Sequence, residues 1–302
     1  MPDINTRITD YNQTITQMVE EGLLDIWGRL GEYRDFLVVI GGLVPRYITA
    51  PEGTSDYDAT THCGTMDIDF GISLAVSNDE KYKEISEILL ENGYRNRLND
   101  RGRLQRHSFI KGEGANALII DFLTPKYAGP ADSLMHKMSS ELSAIQTKGL
   151  GMALRAPRKV RLEGVNANGD KVEEIINVCR PAAYIPLKIL AFDSRRKDKD
   201  IYDLVFVLTH YRQGVQSVVE ETTQEDFASE YFQEALDCLR RHFRDISYVG
   251  PAAYANFCRR PDTRALAFST VWSYLRLIDE KMVLGQNNNF IKLKDKTKKT
   301  LR

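Results

Sequence analysis

Apolar positions alternate between helical and strand spacing up to about residue 180, and from there to near the end they are helical only. Residues 8–33 read as helix: Ile15, Met18, Leu23, Leu24, Trp27 and Leu30 recur three or four apart, and Gly31 marks the end. Residues 36–40 (FLVVI) are a short unbroken apolar run closed by Gly41-Gly42, the pattern of a buried strand entering a tight turn. A helix is expected to begin over 43–49, followed by a long polar loop to about residue 64. Then comes strict alternation, Thr65-Met66-Asp67-Ile68-Asp69-Phe70. In a strand Ile68 and Phe70 face one side and Asp67 and Asp69 the other, about 7 Å apart along the chain. Residues 71–76 extend that strand, and 78–92 form a helix ended by Gly93. Residues 107–111 and 117–123 pair as a hairpin. Residues 127–150 read as loop and then short helix. Two β-rich runs, 160–165 and 171–178, are joined through the turn signal Asn168-Gly169. Helices are predicted over 183–193, 200–211, 224–243, 250–258 and 261–284.

This ordering divides the chain into a mixed α+β region (1–180), a helical region (181–285) and a basic, flexible tail (286–302). Composition adds exclusions. A 302-residue chain with 42% hydrophobic and 27% charged residues is ordinary for a globular protein. A formal net charge of −1 gives no global attraction to nucleic acid or anionic membrane, so a polyanionic partner must be held by a local patch. Four scattered cysteines with no C-x-x-C pair argue against a zinc site or a disulfide framework and fit a reducing, cytoplasmic setting. No apolar run approaches the ~20 residues needed to cross a bilayer.

The candidate chemistry starts from Asp67 and Asp69. Two carboxylates on one rigid face beside a core suit a hard cation such as Mg²⁺ or Mn²⁺. Two such ions can clamp the attacking and leaving oxygens of a phosphoryl displacement. Asp121 interrupts the apolar run LIIDFL (118–123) and needs a partner or a metal. It is a candidate third ligand, or the base that takes a proton from an attacking hydroxyl. Gly41-Gly42, between a strand and a helix, permits close approach of backbone N–H groups to a phosphate. Arg95, Arg97, Arg101, Arg103 and Arg106 form a basic stretch, either a solvated surface or a phosphate contact. Gly112, Gly114 and Ala117 fit G-x-G-x-x-A, but a strand follows where a dinucleotide fingerprint needs a helix. His62 and Cys63 lack further nearby ligands for a metal. In the helical region Lys188 stands among apolar residues, and Asp200 and Asp203 are three apart on the next helix. The lysines of the tail can gather RNA through its phosphates.

In chain order, IGGLVPRY (40–47), TMDIDFGISL (65–74), LIIDFL (118–123) and PLKILAFDSRRKDKDIYDLVFVL (186–208) resemble the nucleotidyltransferase superfamily, and more narrowly the AbiEii-type nucleotidyltransferases, toxins of bacterial toxin–antitoxin and phage-defence systems. The resemblance spans about residues 40–208. It implies an α+β fold, with a mixed sheet flanked by helices and then a helical domain. It assigns Asp67, Asp69 and Asp121 to Mg²⁺, and Gly41 and Gly42 to the triphosphate of an NTP. Thr65 would lend a hydroxyl to the phosphates, Lys188 would neutralise the triphosphate, and Asp200 would orient Lys188 or the acceptor. The implied acceptor is an RNA hydroxyl, such as the 3′ end of a tRNA, or a protein, and the implied partner is a cognate antitoxin. Gly41-Gly42 departs from the Gly-Ser of many superfamily members and removes one hydroxyl contact. A catalytically silent nucleotide- or RNA-binding module, or an enzyme that modifies a small antibiotic, would use the same scaffold.

Overall fold

A computed structural model describes residues 7–49, 62–73, 79–114, 117–126, 134–166 and 169–300, and the side chains of all of these except 79 and 286–300. The loop expected over 49–64 and the strand extension 74–76 lie largely outside the described residues. The chain divides into two compact units, Met1–Leu187 and Lys188–Arg302. The class is α+β: a mixed sheet with flanking helices, then a helical C-terminal region.

The first unit is built on nine described strands: β1 (Leu37–Ile40), β2 (Asp67–Ile72), β3 (Arg95–Leu98), β4 (Leu104–Lys111), β5 (Leu118–Pro125), β6 (Met135–Lys137), β7 (Ser143–Thr147), β8 (Arg158–Val165) and β9 (Lys171–Val178). Their order is β3-β4-β5-β2-β1-β9-β8, with β7 pairing β5 and β6 at a branch. The β1–β2 and β4–β5 pairs are antiparallel, whereas β2–β5 and β1–β9 are parallel. Over the described residues 134–150, expected as loop and then short helix, the chain instead forms β6 and β7, and the arginine stretch enters the sheet as the edge strand β3 and the start of β4.

Helix α1 (Gln13–Leu30) starts where the Asn12 side chain accepts from the Thr14 N–H and stops at Gly31, whose φ of +53° suits glycine. It is shorter than the 8–33 expectation because 3-10 segments, Ile8–Asp10 and Gly31–Phe36, flank it. Its Trp27 stacks on Phe70 and donates to the Ile175 carbonyl. Ile68, Phe70, Ile120 and Phe122, all fully buried, share the covered sheet face, as the alternation along β2 and β5 requires. Asp67, Asp69 and Asp121 take the opposite face and are half-buried. Helix α2 (Val44–Thr49) follows the glycine turn after β1 and is tied to α1 by the buried Arg46, which forms a two-pronged pair with Glu20. Helix α3 (Asp79–Glu91) leads to β3, and α4 (Leu150–Leu154) lies after β7.

Helix α5 (Pro181–Arg195) runs across the division between the units. The second unit continues with α6 (Asp198–His210), α7 (Val215–Glu221), α8 (Gln224–Phe227), α9 (Glu230–His242), α10 (Val249–Cys258) and α11 (Arg264–Thr300). Its centre is α6, buried from Lys199 to Leu208. The single helix expected over 224–243 is divided at Ala228-Ser229 into α8 and α9, and α8 opens on a capping box between Thr223 and Asp226. The last helix continues to Thr300, past the predicted end at 284. Among the described residues no helix is long and apolar enough to cross a membrane.

Candidate functional site

Strand register brings the carboxylates together. Asp69 pairs with Asp121 across the parallel β2–β5 ladder, and Ile40, the residue before the glycine turn, pairs with Asp69 across β1–β2. Paired residues share a sheet face, so three strands deliver Asp67, Asp69, Asp121 and the Gly41 turn to one place. One oxygen from each of the three carboxylates lies within 4.8 Å of the others. Among the described residues this is the one group of three or more acidic, His or Cys side chains that could share an ion.

Each member is held differently. The Thr65 hydroxyl donates to Asp67 Oδ1 at 2.6 Å. Thr65 is itself fixed by α1: its N–H donates to Thr16 Oγ1, and the Thr16 hydroxyl donates to the Thr65 carbonyl, each at 3.3 Å. Asp69 packs against the glycine turn so closely that a Cβ on Gly41 would sit 1.7 Å from its Oδ2. Gly41 also has φ +71°, so two independent constraints call for glycine there. The Gly41 carbonyl accepts a 3.0 Å hydrogen bond from the Tyr184 hydroxyl of α5.

The surroundings of Asp121 act on its charge. Burial pushes its carboxyl up to about 6, the neighbouring Asp67 charge adds to the rise, and a hydrogen bond from Ser108 and the charge of Arg97 oppose it. Its Oδ1 is buried without a hydrogen-bond partner. Ser108 faces Asp121 across β4–β5, and Arg97 Nη1 makes a long 3.4 Å hydrogen bond to Ser108 Oγ. An all-oxygen anionic donor set with an unsatisfied buried oxygen fits Mg²⁺ or Mn²⁺. Asp67, Asp69 and Asp121 are the residues that would hold it.

Lys188 and Asp200 belong to a buried ionic network in the second unit. Lys188 Nζ lies 2.6 Å from Asp203 Oδ2 and 3.3 Å from Asp200 Oδ1, and Lys199 Nζ lies 2.8 Å from Asp203 Oδ1. Arg195 grips Asp200 with two hydrogen bonds, 2.8 and 2.7 Å. Burial alone would raise the Asp200 carboxyl; Lys188 and Arg195 more than offset this and hold it below its ordinary value.

Sequence reasoning did not find Thr16, Ser108 or Tyr184. Tyr184 left a faint signal: a lone hydroxyl in the apolar start of α5, of the kind that usually finds a partner when buried. His62 Nδ1 accepts from the Gly64 N–H at 3.1 Å, a local turn contact.

No family model and no curated protein matches this chain. Among solved structures, the chain is similar to the antibiotic-resistance factor ANT(2″)-Ia. Identity is 16% over 77% of this chain and 98% of that one, at a TM-score of 0.35. It is also similar to a chain of the CdnC:HORMA-deltaN complex of E. coli MS115-1, at 10% identity over 92% and 86%, with a TM-score of 0.22. Both likenesses are too distant to assign a function.

Proposed function

We propose that this chain is a Mg²⁺-dependent nucleotidyltransferase that moves a nucleoside monophosphate from an NTP to an acceptor hydroxyl. The observation that carries this reading is the convergence of Asp67, Asp69 and Asp121 beside the Gly41 turn, with Asp121 Oδ1 buried and unpartnered. Bound divalent cations supply charge neutralisation for the triphosphate and acidify the attacking hydroxyl. The remaining work falls to the chain. Gly41 and Gly42 offer a turn that lacks side chains, where a triphosphate can approach backbone N–H groups. Thr65 keeps the Asp67 carboxylate aimed. The acceptor oxygen forms a bond to the α-phosphorus, the bond from that phosphorus to the oxygen bridging to the β-phosphate breaks, pyrophosphate leaves, and the hydroxyl proton passes to water. On the same reading Lys188 offsets triphosphate charge and Asp200 orients it; their ion pair supports the second role.

The resemblance to AbiEii-type proteins extends the proposal. The acceptor is an RNA hydroxyl, such as a tRNA 3′ end, or a protein side chain, and the chain is the toxin of a pair with a neighbouring antitoxin. The test is incubation of the protein with each labelled NTP, Mg²⁺ and total tRNA or cell extract. Label transfer that disappears in Asp67→Asn and Asp69→Asn is the expected result. Absence of transfer under every condition, or transfer that survives both substitutions, overturns the proposal.

A further inference from the structure

The residues from 94 to 111 carry six Arg or Lys against a single Asp, in a chain whose net charge is −1. They fold into the antiparallel β3–β4 ribbon at one edge of the sheet. Its turn is rigid: the Asn99 side chain accepts from the N–H groups of Arg101 and Arg103, and Asn99 N–H donates to the Arg103 carbonyl. Arg101, Arg103 and Arg106 are exposed and Arg97 is half-buried. Among the described residues Arg101, Arg103 and Arg106 have no carboxylate partner; Arg97 acts on the Asp121 carboxylate through its charge, and the exposed Arg95 has only a 3.7 Å contact with Glu113. Leu98 and Leu104 face each other across the ribbon and are 60% and 54% exposed. Arginine forks beside exposed apolar side chains present both a phosphate-binding and a base- or ribose-contacting surface.

The ribbon is continuous with the acidic cluster. Arg97 reaches Ser108, Ser108 faces Asp121, and Asp121 faces Asp69. With strands about 4.8 Å apart, β3 lies roughly 10 Å from the strand that carries Asp121. We propose that the β3–β4 ribbon binds the phosphodiester backbone of a nucleic-acid strand and leads its terminal hydroxyl to the acidic cluster. This rests on the nucleotidyltransferase reading for the reaction but not for the binding. The contrasting role for these arginines is protection of an exposed sheet edge against pairing with other chains, for which charge alone suffices.

Binding is read with the full chain in EDTA, so that the carboxylate site holds no metal, by anisotropy of a fluorescent RNA of about 12 nucleotides. Four arginines on four phosphates give a slope of log K on log salt near −2.8, about 50-fold weaker binding between roughly 50 and 200 mM salt. Arg101→Gln/Arg103→Gln should flatten that slope by about 1.4, and the matching Lys pair should restore it. Unlabelled DNA of the same sequence that competes as well as RNA assigns the contact to phosphodiester; weaker DNA competition adds a ribose hydroxyl contact. Either supports the ribbon. Unchanged affinity and slope in the Gln pair overturns it, as does polyglutamate that competes as well as RNA. Aggregation of the Gln pair with RNA binding intact assigns the arginines to edge protection and also overturns it. A chain that binds RNA through the ribbon but transfers no nucleotide sinks the catalytic reading alone.

Discussion

Replacing Gly41 with alanine should dismantle the acidic cluster without touching any acid. Real Cβ atoms rarely come nearer than 3.0 Å to another heavy atom, and the new one would start 1.7 Å from Asp69 Oδ2. The carboxylate must therefore move by about 1.3 Å, several times the ~0.2 Å tolerance of a metal–ligand distance. The positive φ adds strain of about 1–2 kcal/mol. Gly102 is the control: its φ of +69° nearly equals the +71° of Gly41, but nothing lies within 4 Å of its added Cβ. Gly102→Ala should lose only the stability set by its positive φ in thermal melts, and Gly41→Ala should lose more, by the cost of displacing Asp69. Only Gly41→Ala should lose Mn²⁺ affinity in calorimetric titration, by about tenfold or more, since disturbing residues that merely support ligands costs 10–100-fold. Wild-type Mn²⁺ affinity in Gly41→Ala would refute the reasoning, because Asp69 would then not be a ligand in the position described.

Three further outcomes follow from the same geometry. Tyr184→Phe removes one hydrogen bond to the Gly41 carbonyl, a loss of about 1 kcal/mol, and should raise the KM for NTP about fivefold with kcat little changed; steady-state kinetics checks this. Asp203→Asn leaves Lys188 and Lys199 facing a neutral amide inside the helical unit and should destabilise it by about 3–5 kcal/mol, read by denaturant titration. His242 gives a pH dependence. Its Nε2 donates to Asp193 and its Nδ1 accepts from Arg196, so the neutral ring satisfies both partners. Burial, with Arg196 and Arg241 nearby, lowers its pKa despite Asp193. Below the ordinary value of 6.5 the unfolded chain therefore binds the proton more readily than the fold does, and stability falls as pH drops through 6.5. Asp121, raised to about 6, titrates in the same window with the opposite sign in both proteins. The check is therefore the difference between wild type and His242→Gln in thermal melts: as pH drops from about 7.5 to 5.5, wild type should lose stability relative to the variant.

The elements with a strong period were legible from sequence. The alternation of Asp67-Ile68-Asp69-Phe70 predicts which side chains of that strand are covered, and the fold covers them. Strand 171–178 was placed to the residue. What failed was local signal without period. Strands β6 and β7 are three and five residues long and partly polar, so they exist only because β7 pairs with β5 and β6. Arg95–Leu98 looks like loop because an edge strand tolerates charge on its open side. Within the site, the acids were visible as polar interruptions of apolar runs. Their support was not. Thr16 reaches Thr65 across 49 positions and Tyr184 reaches Gly41 across 143, and nothing in either neighbourhood encodes such a contact.

The central claim is that Asp67, Asp69 and Asp121 jointly hold a divalent ion. Crystals grown with Mn²⁺ and measured for anomalous scattering test it most directly. The prediction is a peak about 2.1 Å from oxygens of all three carboxylates, lost in Asp69→Asn. A cluster free of metal at saturating Mn²⁺, or an ion bound elsewhere, would contradict it.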